Sequence, residues 1–187
     1  LASTAEFSCE NVSKAQMVME RNLEHDSSMR DQVLAGMVDF AESLGDGVGL
    51  RSLLAPIRHK GTGGGHSPQS GLLKLLLHVR GLQAQVIDQV LTWVAEYTST
   101  DDEAAGLSDN LPRMLLYQLR FLNFVEDGEE LAKQLMETLS LVCSVCTDNQ
   151  LAQDIINIIP EILDDTQHSV VVEQLQTLLE DGATLAV

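Results

Sequence analysis

Apolar residues in this chain recur with the period of an α-helix. Val33, Met37, Phe40 and Leu44, for example, fall on one face of a helix. No segment of useful length alternates apolar and polar residues with the period of two that a half-buried strand requires. The sequence therefore predicts a protein built from helices, without strands.

The helical segments themselves repeat. An apolar helical stretch opens near Gly71, again near Leu111 and again near Leu151, at intervals of about 40 residues. A short polar break and a second amphipathic stretch follow each one. Helix pairs at this interval predict an all-α fold, a HEAT/armadillo-like α-solenoid of antiparallel helix pairs. Solenoids commonly serve as binding surfaces, so this architecture favours an interaction scaffold over an enzyme.

The whole chain is predicted to form a single α-solenoid segment over residues 1–187. Residues 1–57 form leading helices, residues 58–69 a flexible loop rich in glycine, and residues 70–187 the helix-pair repeats. Residues 99–108 are predicted to form a second, acidic loop. The chain has no initiator methionine and its last residues are apolar, so we expect a slice of a longer chain.

The composition of the chain limits the kinds of partner that it can bind. Hydrophobic residues make up 44% of the chain and aromatic residues 4%, as expected for stacked helices packed through aliphatic side chains. The formal net charge is −17, which should repel nucleic acid and anionic membranes. No apolar run approaches the roughly 18 residues that a membrane span needs. We therefore expect weak DNA binding at most, and no membrane partner.

One stretch of the sequence lacks acidic residues, although the chain as a whole is strongly acidic. No Asp or Glu occurs from Gly47 to Ile87. The stretch could contact an acidic partner or DNA phosphate, but its basic residues could equally point in different directions. These basic residues are Arg51, Arg58, Lys60, Lys74 and Arg80.

Two motifs resemble catalytic or metal sites only in part. Cys143 and Cys146 form a C-x-x-C pair, but zinc needs four ligands and the chain has no matching second pair. Both cysteines continue an apolar helical stripe, which favours packing. The glycine-rich run Gly61–His66 is not followed by the Lys-Ser/Thr of a phosphate-binding loop. We predict no catalytic residue, metal or cofactor.

Three runs of sequence, in order along the chain, resemble the Fanconi anaemia group D2 family. They are Gly71–His78, Leu116–Gly128 and Asp154–His168. The resemblance implies a nuclear α-solenoid protein that pairs with the related group I protein in the repair of DNA interstrand crosslinks. It also implies a DNA clamp locked by attached ubiquitin, and a contact with the group E subunit of the ubiquitin-ligase core complex. The alternative is an unrelated HEAT-like adaptor in transport or signalling.

The resemblance bears on two kinds of modification, ubiquitination and phosphorylation. The ubiquitin acceptor is expected outside this fragment, so Lys14, Lys60, Lys74 and Lys133 are not assigned that role. Thr166 opens the only Ser/Thr-Gln pair in the sequence, in a predicted loop between helices. Damage-activated kinases favour glutamine after the acceptor, so Thr166 is a candidate phosphosite, although the dipeptide alone also fits an ordinary turn.

A faint similarity to CUE ubiquitin-binding domains lies nearby. The elements concerned are Ile158-Ile159-Pro160 and the pair Leu178-Leu179. The core of a helical repeat supplies the same apolar residues, and we favour that interpretation.

Overall fold

The structure is a computed structural model that describes residues 9–43, 47–56, 71–99, 110–120, 122, 124–145 and 150–180. These residues contain α-helices and no β-strand. The predicted all-α, solenoid-like fold class is confirmed. The loop predicted over residues 58–69 lies outside the described residues, as does most of the acidic loop predicted over residues 99–108.

The helices divide between two compact units, one up to Gln83 and one from Ala84 onward. In chain order they are α1 (Cys9–His25), α2 (Ser27–Ser43), α3 (Val48–Leu54), α4 (Leu72–Leu77), α5 (Gln83–Ser99), α6 (Leu111–Leu119), α7 (Gly128–Val145), α8 (Gln150–Ile162) and α9 (Asp165–Glu180).

In the first unit each helix packs against the next one along the chain, from α1 to α4. The closest approach is at Gly49, where an added Cβ would lie 2.3 Å from the carbonyl oxygen of Ala41. Only glycine lets α3 begin this close to the end of α2. The side chain of Gln16 ties α1 to the end of α4 by donating to the carbonyl of His78 at 2.7 Å.

In the second unit the helices form two layers. α6 packs against α8 and α7 packs against α9, while α7 also packs against α8 and joins the layers. Leu115, Leu139 and Ile155 come from three of these helices and are all fully buried. Contacts between every second helix are what stacked helix pairs require, because each pair buries its apolar face on the next.

Two helix ends differ from the sequence prediction. The apolar pattern that opens near Leu111 predicts a helix to about Val125, but α6 ends at Leu119. After it, the amides of Arg120 and Leu122 donate to carbonyls three residues earlier, at 3.3 and 3.1 Å, which tightens the end of the helix into turns. Ser169 can act as an N-cap and predicts a last helix that starts near Val170, but α9 starts at Asp165.

Asp127 and Glu130 form a capping-box-like pattern that predicts a helix start at about Glu129, and the cap at Asp127 is present. Asp127 accepts a hydrogen bond from the backbone amide of Glu130 at 3.0 Å. This bond satisfies one of the amides that the first turn of a helix leaves without a partner.

Truncation of the core of the second unit tests the layered packing. Leu139→Ala should lower the free energy of unfolding by about 2–5 kcal/mol, because the substitution leaves a cavity between helices. Leu141→Ala, two residues along the same helix and 39% exposed, is the matched control and should have little effect. Urea unfolding followed by circular dichroism measures both, and equal losses would contradict the packing described here.

Candidate functional site

Two ion pairs join α6 to α8 on the surface of the second unit. Arg113 pairs with Asp154, and Arg120 pairs with Glu161. Each pair links residues 41 positions apart. Because both pairs have the same offset, α6 and α8 run parallel and in register, as equivalent helices of consecutive repeats do.

The second of these pairs has fork-like geometry. The Nε of Arg120 donates to Oε2 of Glu161 at 2.6 Å, and Nη2 donates to the other carboxylate oxygen. This hydrogen bond lowers the pKa of Glu161 and raises that of Arg120. Both groups therefore stay ionised across the neutral range, and the two-point contact fixes their orientation.

Large apolar side chains lie exposed beside the ion pairs. Tyr117 is 50% exposed and Met114 is 40% exposed, both on α6. The guanidinium of Arg120 lies 5.4 Å from the centre of the Tyr117 ring, within the range of a cation–π contact. We call the surface formed by Arg113, Met114, Tyr117, Arg120, Asp154 and Glu161 the α6–α8 face.

This face is not among the predicted sites, although the sequence carries a signal for it. Arg113 and Arg120 are seven residues apart, as are Asp154 and Glu161, so each pair lies on one side of its helix. The offset between the two pairs matches the repeat interval of about 40 residues. A search for opposite charges at the repeat interval would have found them.

Thr166 does not lie in a loop, so that part of the prediction was wrong. It is exposed in the first turn of α9, since only Leu163 and Asp164 separate α8 from α9. The backbone amide of Gln167 donates a hydrogen bond to the carbonyl of Asp164 at 2.9 Å, so the helix begins earlier in the chain than predicted. The position of Thr166 at a helix N-terminus favours an added negative charge.

An open cleft of about 280 Å³ lies between the N-terminal halves of α7 and α9. Three of its six lining residues are acidic, and the one basic residue, Lys133, lies 3.6 Å from Glu130. The lining residues are Asp127, Glu129, Glu130, Lys133, Val170 and Gln174.

The predicted basic stretch is only partly described. Arg51 and Lys74 lie half-buried on α3 and α4, which pack against each other, and Arg80 is exposed after α4. The backbone amide of Arg80 donates to Glu20 at 3.2 Å, so a carboxylate lies beside this end of the stretch. Arg58 and Lys60 lie outside the described residues. A role for the stretch in binding stays a prediction.

The described residues of the C-x-x-C pair and of the CUE-like Ile158-Ile159 element lie within helices. Cys143 is half-buried on α7, and burial raises the pKa of its thiol, which keeps it protonated and unreactive at neutral pH; Cys146 lies outside the described residues. Ile158 and Ile159 are buried in α8, where they pack in the core and are withdrawn from any ubiquitin surface.

A family model described as "Fanconi anaemia protein FancD2 nuclease" matches residues 16–187. The chain belongs to the Fanconi anaemia group D2 family. The resemblance that the three runs of sequence indicated is thereby confirmed.

Individual relatives agree with the family model. The chain is 34% identical over 122 residues to the Fanconi anemia group D2 protein of Gallus gallus. This alignment covers 65% of this chain and 8% of that protein. It is 32% identical over 116 residues to each of the group D2 protein homologs of Rattus norvegicus and Mus musculus, covering 62% of this chain and 8% of either relative. The matched region is therefore a small part of these relatives.

The family description contains the word nuclease, and nucleases commonly hold catalytic metal ions. Among the residues that the structure describes, no three His, Cys, Asp or Glu side chains cluster closely enough to hold a metal ion. No helix in the same part of the chain is long and apolar enough to cross a membrane.

The lowered pKa of Glu161 predicts how pH affects the α6–α8 pairing. A carboxyl whose pKa falls on folding stabilises the folded state above its unfolded pKa, and this contribution disappears as pH drops through the lower, folded value. Wild type should therefore be more stable than Glu161→Gln at pH 7. The difference should vanish on acidification below the usual range of a glutamate, and urea unfolding at several pH values measures it. A difference independent of pH would show that charge is not the cause.

Proposed function

We propose that this chain is a protein-interaction scaffold segment of a nuclear DNA-repair protein that acts on interstrand crosslinks. Family membership supports the repair role and favours it over a HEAT-like adaptor in transport or signalling. The proposed partners are the Fanconi anaemia group I protein, as the other half of a heterodimer, and the group E subunit of the core complex. The whole protein is the proposed substrate of ubiquitination, at a lysine outside this fragment.

The α6–α8 face is the proposed docking surface, and the exposure of Tyr117 is the observation that carries this proposal. Tyrosine and arginine are the residue types over-represented among the energetic centres of protein interfaces, and methionine is enriched at interfaces generally. Here Tyr117 lies on one helical surface with Met114 and two arginines. The ion pairs hold the arginines in place before binding, so less conformational entropy is lost when a partner covers them.

Duplex DNA is a weaker candidate for direct contact by this fragment. The net charge of −17 opposes the approach of a phosphate backbone. Both arginines of the α6–α8 face are paired with carboxylates, which offset their charge. We propose that DNA is bound by the complete complex and only weakly by this segment.

Truncation of the exposed apolar residues tests the docking surface. The double variant Met114→Ala/Tyr117→Ala in the full-length protein should weaken binding to purified group I protein at least tenfold, because both side chains would be covered in the complex. The matched control is Leu141→Ala/Val145→Ala, which removes side chains of 39% and 44% exposure from α7. Isothermal titration calorimetry measures the dissociation constants. Unchanged binding in the first variant would remove the α6–α8 face from the proposal.

Thr166 is the proposed site of a damage-activated kinase. A phosphate there would lie in the first turn of α9, where the helix dipole attracts it, beside Asp164 and Asp165, which repel it. Each effect is worth about 0.3–1 kcal/mol at an exposed position, so the two offset each other and the fold should persist. The modification would act on recognition, by adding charge to an already acidic surface.

Mutation tests the phosphosite. Incubation with a Gln-directed damage kinase and mapping by mass spectrometry should find phosphate on Thr166, and the Thr166→Ala chain should lose it. Cells that carry Thr166→Ala in the full-length protein should repair interstrand crosslinks less efficiently than wild type. Repair at the wild-type level would show that Thr166 is an ordinary first-turn residue and not a regulatory phosphosite.

A further inference from the structure

The two residues of the Thr166-Gln167 pair have different surroundings. Thr166 is exposed, whereas Gln167 is half-buried against the start of α7. An added Cβ at Gly128 would lie 3.0 Å from Cδ of Gln167 and 3.1 Å from its Oε1. The amide group of Gln167 therefore occupies space that is open only because residue 128 has no side chain.

Neighbouring contacts hold this turn in place. The backbone amide of Gln167 donates to the carbonyl of Asp164, and Nδ1 of His168 lies 3.6 Å from a carboxylate oxygen of Asp165. One turn further along, Val171 is 4% exposed and anchors α9 in the core. The acceptor hydroxyl is thus accessible, while the glutamine beside it is engaged with α7.

We infer that the packing of Gln167 against Gly128 restricts phosphorylation of Thr166, so that a kinase modifies the chain only when the first turn of α9 has moved away from α7. The inference rests on the phosphosite proposed above. A kinase that selects glutamine after the acceptor must enclose the glutamine side chain, which must first leave Gly128. Helix ends open locally far more often than the whole fold does, so the masking is reversible.

This arrangement would couple modification to binding. A partner that pulls the first turn of α9 away from α7 would expose Gln167 and promote phosphorylation. A partner that covers the α7–α9 cleft would suppress it. The extent of phosphorylation at Thr166 would then depend on whether a partner is bound to the segment, even at constant kinase activity.

The substitution Gly128→Ala tests the masking without altering the kinase motif. The new methyl group would displace the flexible end of Gln167, which can move away at little cost. Positive φ angles among the described glycines occur at Gly47 and Gly81, so alanine fits the backbone at Gly128. The matched control is Gly36→Ala in α2, where an added Cβ meets no atom within 4 Å. Both changes replace glycine with a better helix former.

We expect the initial rate of Thr166 phosphorylation to rise about fivefold in Gly128→Ala, the size expected when one surface contact is lost from a local opening equilibrium. Gly36→Ala should match wild type. Mass spectrometry quantifies the phosphate on a chain carrying either change. Nuclear Overhauser contacts between the Gln167 side-chain amide and the Gly128 α-protons should be present in wild type. Urea midpoints of the two variants should be no lower than that of wild type.

The outcomes separate the two proposals. Phosphate on Thr166 at an equal or lower rate in Gly128→Ala overturns the masking and leaves the phosphosite standing. A lowered urea midpoint in Gly128→Ala also overturns it, since the rate would then reflect general unfolding. Absence of phosphate on Thr166 in wild type and both variants overturns the phosphosite, and the masking falls with it.

Discussion

Burial of apolar surface between successive helix pairs is the constraint on which the second unit depends. A single helix pair in water cannot cover its own apolar face, so each pair relies on the next one. The contacts of α6 with α8 and of α7 with α9 meet this need, and side chains such as Leu115 and Ile155 become fully buried. Everything on the surface of this unit is positioned by that stacking.

The stacking explains why an interaction surface arises on α6 and α8. Once two equivalent helices run parallel at a fixed offset, residues seven positions apart on each helix come into range of their counterparts. Arg113 and Arg120 then meet Asp154 and Glu161 in two pairs of the same offset. Exposed ion pairs of this kind add little stability. Their consequence is to orient two guanidinium groups on this surface, of which that of Arg120 lies over the Tyr117 ring.

The same stacking brings the starts of α7 and α9 together. Gly128 and Gln167 lie at the N-terminal ends of their helices and touch because the layers are in register. As a result, Thr166 of the kinase motif is exposed to solvent, whereas Gln167 packs against the start of α7. A phosphate on Thr166, as proposed above, would then depend on the packing of this one turn.

The sequence by itself determined the helical class, the repeat interval and the family, because apolar periodicity and ordered runs of residues are local properties of the chain. It also placed the cap at Asp127, since a cap acts on amides within its own turn. The end of α6 and the start of α9 differ from the prediction, because tertiary packing and turn hydrogen bonds decided both boundaries. The charges of the candidate site do recur at the repeat interval in the sequence, but that recurrence alone does not say which side chains meet. Only the tertiary structure decided that Arg120 meets Glu161 and that Gln167 covers Gly128, because these contacts join residues about 40 positions apart through the stacking of helices.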